Sequence, residues 1–145
     1  MNIKQKFISF LVLFALIVNA SFAFAENEFA EKHIVLQISD TSRQQLVLNV
    51  ANNLIKHYGP DSVQIEIVAF SSGLKLLFEN NEISSPRIDS LVSNGVKFSA
   101  CSNTLAKMTK KMGKKPKLHK DSIVVSAGVV RIIDLIDQGY TLIKP

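Results

Sequence analysis

The sequence predicts an α/β domain: a three-layer α/β/α sandwich around a mostly parallel five-stranded sheet. Three observations point there. Short apolar runs rich in β-branched residues recur along the chain and read as buried strands. Between them lie segments with helical spacing, opened by Ser, Thr, Asp or Pro and closed by Gly. Strand and helix alternate throughout, as parallel neighbours require, because they can be joined only by crossovers.

The first strand is HIVLQIS, 33–39. Asp40, Thr41 and Ser42 follow as helix-start residues, whose side-chain oxygens accept from free backbone N–H groups. The next helix sets Leu46, Val50, Leu54 and Tyr58 along one face, with Val47 and Ala51 beside it, until Gly59 and Pro60 end it. SVQIEIVAF, 62–70, alternates Val63, Ile65 and Ile67 and forms the second strand. Ser71-Ser72-Gly73 turns into a short helical piece, GLKLLFEN. A helix opened by Ser84, Ser85 and Pro86 carries Ile88, Leu91 and Val92 and stops at Asn94-Gly95.

VKFSA, 96–100, is the third strand, and Cys101 sits at its carboxyl end. Residues 102–112 form a helix with Leu105, Met108 and Met112 on one side, and Gly113 and Pro116 interrupt a lysine-rich loop. SIVVS, 122–126, is the fourth strand, GVVRIIDLIDQG an amphipathic helix, and YTLIKP the fifth strand.

Residues 1–25 read as a secretory signal peptide. Lys4 and Lys6 give a positive start, 7–18 form an apolar run, and Ala23-Phe24-Ala25 supplies an A-x-A site. The alternative is an uncleaved anchor, which needs roughly 20 apolar residues; Asn19 and Ser21 weaken the run. Cleavage places the protein in the periplasm or outside the cell, with no stable membrane insertion afterwards. Residues 26–32 form a flexible lead-in and 33–145 a single domain. The 145-residue chain carries a net charge of +5, and loss of two leader lysines lowers it to +3. That mild excess is no nucleic-acid signature. It is concentrated in 107–120, with seven lysines and no acid, which reads as a solvated loop or as a patch for an anionic partner.

Parallel strands would gather four loops at their carboxyl edge: 39–42, 71–73, 101–103 and 126–128. Open α/β sheets bind ligands there, and helix starts offer N–H groups and positive dipole ends to anions. Asp40, Ser72, Ser102, Asn103 and Ser126 are the candidate binding residues, with helix capping as the competing role for their side chains. Cys101, the single cysteine, has no partner for an intramolecular disulfide. At the first turn of a helix a thiolate is stabilised and becomes nucleophilic, whereas a cysteine used as filler is inert. The reactive reading expects the sulfur exposed on the amide-rich rim, and a sulfur deep among aliphatic side chains with no route for solvent would leave only a fold.

HIVLQIS, GVKFSACSNTLAKM and the tail AGVVRIIDLIDQGYTLIKP resemble the DsrE/DsrF-like family of sulfur-relay type, and the tail is more similar to an exported, uncharacterised subgroup than to the relay subunits. The resemblance covers nearly all of 33–145. It implies that Cys101, following a Gly-Val-x-hydrophobic strand and preceding a helix, accepts sulfur as a persulfide. It also implies a homo-oligomer, a sulfur donor or acceptor protein as partner, and stoichiometric carriage instead of ordinary turnover. The same cysteine would also suit a thiol redox protein that senses redox state; the alternative is a non-catalytic small-ligand-binding or oligomeric assembly module in which Cys101 only packs.

No cofactor and no metal is expected. Cys101, Met108, Met112 and His119 are soft ligands suited to copper(I), yet Met108 and Met112 are spaced as a core stripe, and no HxH or CxxC pattern occurs. The chain lacks the G-x-S-x-G elbow of serine hydrolases and the glycine patterns of phosphate and dinucleotide loops.

Overall fold

The first apolar run forms β1, Lys32–Ile38, in a computed structural model that describes residues 30–145. The leader read at 1–25 lies outside the described residues. Of the expected lead-in, Ala30 is buried and Lys32 already opens the strand. After a 3₁₀ turn, Thr41–Arg43, helix α1 spans Gln44–Tyr58 and ends where Gly59 takes φ 87°, a conformation that favours glycine. Strand β2 is Val63–Ala69, followed by a 3₁₀ segment, Ser71–Leu77, and helix α2, Ser85–Val92. Strand β3 is Lys97–Cys101, α3 is Ser102–Met112, β4 is Ser122–Val125, α4 is Gly128–Asp137 and β5 is Thr141–Ile143.

The five strands form one sheet in the order β4-β3-β2-β1-β5, and every pairing is parallel. From β1 to β4 the chain steps strand by strand in one direction, and then returns across the sheet to place β5 beside β1. The helices divide accordingly. Val47, Leu48 and Ala51 of α1, Ile88 and Leu91 of α2, and Leu105 of α3 join one core with Leu36, Ile65, Ile67 and Phe98. Ile132 and Leu135 of α4 join a second, smaller core with Val35, Val68 and Tyr140. The result is a three-layer sandwich with unequal outer layers.

Two expectations change. The stripe 46/50/54/58 is not the buried face of α1: Leu46 is 39% and Tyr58 38% exposed, while Val47, Leu48 and Ala51 are buried. Residues four apart advance by about 40° around a helix of 3.6 residues per turn, so that row winds across the face and its ends leave the core. Strand β2 is buried at all seven positions, including Gln64, Glu66 and Val68, because it is flanked by strands on both sides and covered by helices on both faces. Edge strand β4 is the opposite case, with Ile123 and Val124 exposed. No helix among the described residues is long and apolar enough to cross a membrane.

Candidate functional site

Reversal of the chain after β4 creates a topological switch. The connection leaving β3 runs to α3 on one face, and the connection leaving the adjacent β4 runs to α4 on the other. In open α/β sheets such a divergence opens a crevice outside the strand ends. Cys101 is the last residue of β3, pairs in register with Val125 at the end of β4, and immediately precedes α3. The lone sulfur therefore lies between two helix starts.

Its direction follows from strand alternation. Ser99, two residues earlier, donates its hydroxyl to Glu66 beneath α4, so Cys101 faces that same side. The sulfur is consequently not open on the rim as expected. Cys101 is 5% exposed, tucked below the turn that leads into α4. It occupies the N-cap position of α3 without closing a capping hydrogen bond as a thiol. Burial opposes ionisation, but the Thr104 hydroxyl and the backbone N–H groups of Gly128, Thr104 and Asn103 outweigh it and hold the thiol below its ordinary pKa. Polar groups thus form part of the surroundings of the buried sulfur.

The other candidates separate into two groups. At the thiol, Asn103 contributes through its backbone N–H, not its side chain; Ser102 is half-buried at the start of α3, and it is Thr104 whose hydroxyl serves the sulfur. Ser126 is exposed, and the second turn contributes through Gly128. At the far loops, Ser72 Oγ accepts from Thr41 N–H at 3.2 Å and donates to Ser39 O at 3.3 Å, tying the ends of β1 and β2 together. Asp40 Oδ1 accepts from Ser42 N–H at 2.8 Å, and the Ser42 backbone and side-chain hydrogen bonds lower its pKa. Ser72 and Asp40 are thus caps.

Sequence reading missed Thr104 and Gly128. Thr104 had a local signal: it stands three residues after the N-cap, where side chains meet the first helical turn. Gly128 lies in the loop 126–128 expected at the same edge, but the β3–β4 register is what brings that loop, and not 39–42, beside Cys101.

Two further features border the site. Ser71 is the one non-glycine residue with positive φ (51°) among the described residues, and its N–H donates to Thr104 Oγ1 at 3.1 Å. Such conformations persist where surroundings impose them. Beside Thr104 lies an open cleft of about 320 Å³ lined by Phe70, Ser71, Thr104, Lys107, Met108 and Lys111. Lys107 and Lys111 of the basic run therefore share a cleft with Thr104, and all seven lysines of the run are exposed.

The soft-ligand set does not assemble at Cys101. Met108 packs half-buried against the main core and Met112 is 49% exposed. His119 is buried elsewhere, with Nε2 3.4 Å from Asp89 and Nδ1 3.7 Å from Asp121. The Lys120 ammonium contacts both carboxylates, at 3.2 and 2.8 Å, and supplies that cluster's cation; its hydrogen bonds to Asp121 and Asp89 raise its pKa.

No family model matches the sequence, and no curated protein matches it. Among solved structures, the chain is similar to the protein of unknown function MTH1491 from Methanobacterium thermoautotrophicum. The two are 33% identical over 79% of this chain and 99% of that one, with a TM-score of 0.69.

Proposed function

For a chain that belongs to the same family as the archaeal protein MTH1491, we propose the role of an exported sulfur carrier of DsrE/DsrF-like type, acting through the Cys101 thiolate. The observation that carries this reading is the placement of the one cysteine between the starts of α3 and α4, where amide groups and a hydroxyl favour its anion. Inert filler cysteines gain nothing from such surroundings, whereas nucleophilic ones depend on them.

The chemistry needs no resident cofactor. The Cys101 thiolate attacks the outer sulfur of a persulfide or polysulfide donor. A new S–S bond forms to Cys101 as the donor's own S–S bond breaks, and the donor departs as a thiolate with that electron pair. An acceptor thiolate then attacks the outer sulfur of the Cys101 persulfide, which returns Cys101 to its thiolate. Atoms and electrons balance across the two exchanges, without an external oxidant. Lys107 and Lys111 beside Thr104 favour an anionic donor. Because Cys101 is only 5% exposed, donor access requires the structure around the sulfur to move.

Exposure to inorganic polysulfide, followed by mass spectrometry of the intact protein, tests the proposal. A gain of about 32 Da per sulfur atom, removed by dithiothreitol and absent in Cys101→Ser, is expected. An unmodified chain after prolonged exposure would overturn it.

The same low exposure favours a second reading, an assembly module with a structural cysteine. Val129, Val130, Ile133 and Ile136 line an outward face of α4 at 43–56% exposure, a surface suited to self-association as a homo-oligomer. Sedimentation of the purified protein separates a monomer from an oligomer, and the polysulfide test separates carriage from packing.

A further inference from the structure

Helix α4 is held to the sheet in an unusual way. Its side of the sheet carries a core of five buried residues, against nineteen on the opposite side. Between α4 and the sheet lies a buried ion pair. Arg131 Nε donates to Glu66 Oε1 at 2.8 Å, Arg131 Nη2 donates to Glu66 Oε2 at 2.7 Å, and Ser99 Oγ donates to Oε1 at 2.6 Å. The Glu66 side chain is 2% exposed and that of Arg131 28%.

Stability alone does not account for this arrangement. A buried ion pair recovers little more than the cost of removing its charges from water, and apolar substitutes of similar size are often as stable or more so. What the pair adds is direction. Apolar contacts permit a helix to slide and roll, whereas a two-pronged guanidinium–carboxylate pair fixes both position and rotation. Arg131 lies three residues beyond Gly128 on the same helix, less than one turn away, and its N–H closes the first turn onto Ala127 O at 3.0 Å. The carboxylate is in turn anchored to β3 through Ser99, two residues before Cys101.

From this geometry we infer that Glu66 and Arg131 are positioning residues for the thiol: the pair locks α4 in register with β3 so that the Gly128 N–H is aimed at the Cys101 sulfur. This rests on the reading of Cys101 as the reactive group. It assigns the buried pair a role in the site although neither side chain serves the sulfur directly. Phe70, packed on the Gly128 Cα, closes the other side of the turn.

The test uses a charge-neutral exchange, Glu66→Met with Arg131→Met, in the full chain. Both charges leave together, so long-range electrostatics at the sulfur nearly cancel, and Lys97, the neighbour of Glu66 in the strand register, is common to both proteins. Iodoacetamide labelling of Cys101 is followed against pH, with circular dichroism to verify the fold. The expected result is a folded protein whose labelling midpoint moves up, slowing the reaction near neutral pH by about threefold to tenfold. A folded variant with the parent's profile would overturn the inference while leaving the carrier reading intact. A parent with no depressed midpoint would instead sink the carrier reading itself. If the double variant does not fold, Arg131→Lys keeps the charge and loses the fork. The same upward shift is expected there, and an unchanged profile overturns the inference.

Discussion

The backbone N–H of Gly128, at the start of α4, supports the thiolate of Cys101, at the end of β3. These residues are 27 positions apart in the chain, and they meet because β3 and β4 are adjacent parallel strands whose following helices diverge to opposite faces. One amide from α4 thereby joins two from α3 around a single sulfur.

Removal of that amide should be measurable. Gly128→Pro deletes the N–H at the first helical position, which tolerates proline. A Cβ at this position meets Phe70 Cδ1 at 3.0 Å, so Gly128→Ala is the steric control. Thiol labelling midpoints are expected to rise in both variants and by more in the proline variant. Equal midpoints for the two would show that the N–H itself contributes nothing.

Thr104 provides the side-chain donor. Thr104→Val should raise the labelling midpoint, whereas Thr104→Ser should preserve it. Stability should change by about 1 kcal/mol at most, since the Ser71 N–H that Thr104 accepts is at an exposed position and can turn to water. Urea unfolding alongside the labelling profile checks both statements.

A single truncation at Arg131 should be far more damaging than a change at the surface. Arg131→Ala leaves the buried Glu66 carboxylate without its two-pronged partner, and loss of one partner from such a pair costs about 3–5 kcal/mol. Chemical denaturation is expected to show a loss of that size; a change under about 1 kcal/mol would mean water reaches Glu66 freely.

The thiol also links stability to pH. Its folded pKa is depressed, so its contribution is fully present above the unfolded value, about 8.5, and is lost as pH falls through the folded value. The stability difference between the parent and Cys101→Ser should therefore widen in the parent's favour as pH rises through that window. A pH-independent difference would contradict a depressed thiol.

Zinc should not stabilise the protein through Asp89, His119 and Asp121. Lys120 already pairs with both carboxylates, and the two His119 nitrogens face different acids. Thermal unfolding with and without zinc is expected to coincide. A rise that grows with zinc concentration, as ligand linkage requires, would show that the ion displaces Lys120.

Much of this architecture was readable in the chain, because its signals are local. The predicted helix 102–112 coincides with α3, and the first four predicted strands fall within one residue of their observed bounds at either end, while the fifth is trimmed to Thr141–Ile143. The position of Cys101 at a strand-to-helix junction was local in the same sense. The site was harder. Gly128 reaches the sulfur through strand order, Glu66 sits between the apolar residues of an alternating strand, and Arg131 is a charge within an amphipathic helix. Each of these depends on which helix covers which face. Exposure of the sulfur was misjudged for a related reason: the parity of β3 directs it under the start of α4.

The most direct measurement is the pH profile of Cys101 alkylation in the folded protein. A midpoint clearly below about 8.5, the value of a free cysteine, is expected, with labelling that does not require denaturant. A thiol that stays unlabelled at every pH until the chain is unfolded would contradict the carrier reading.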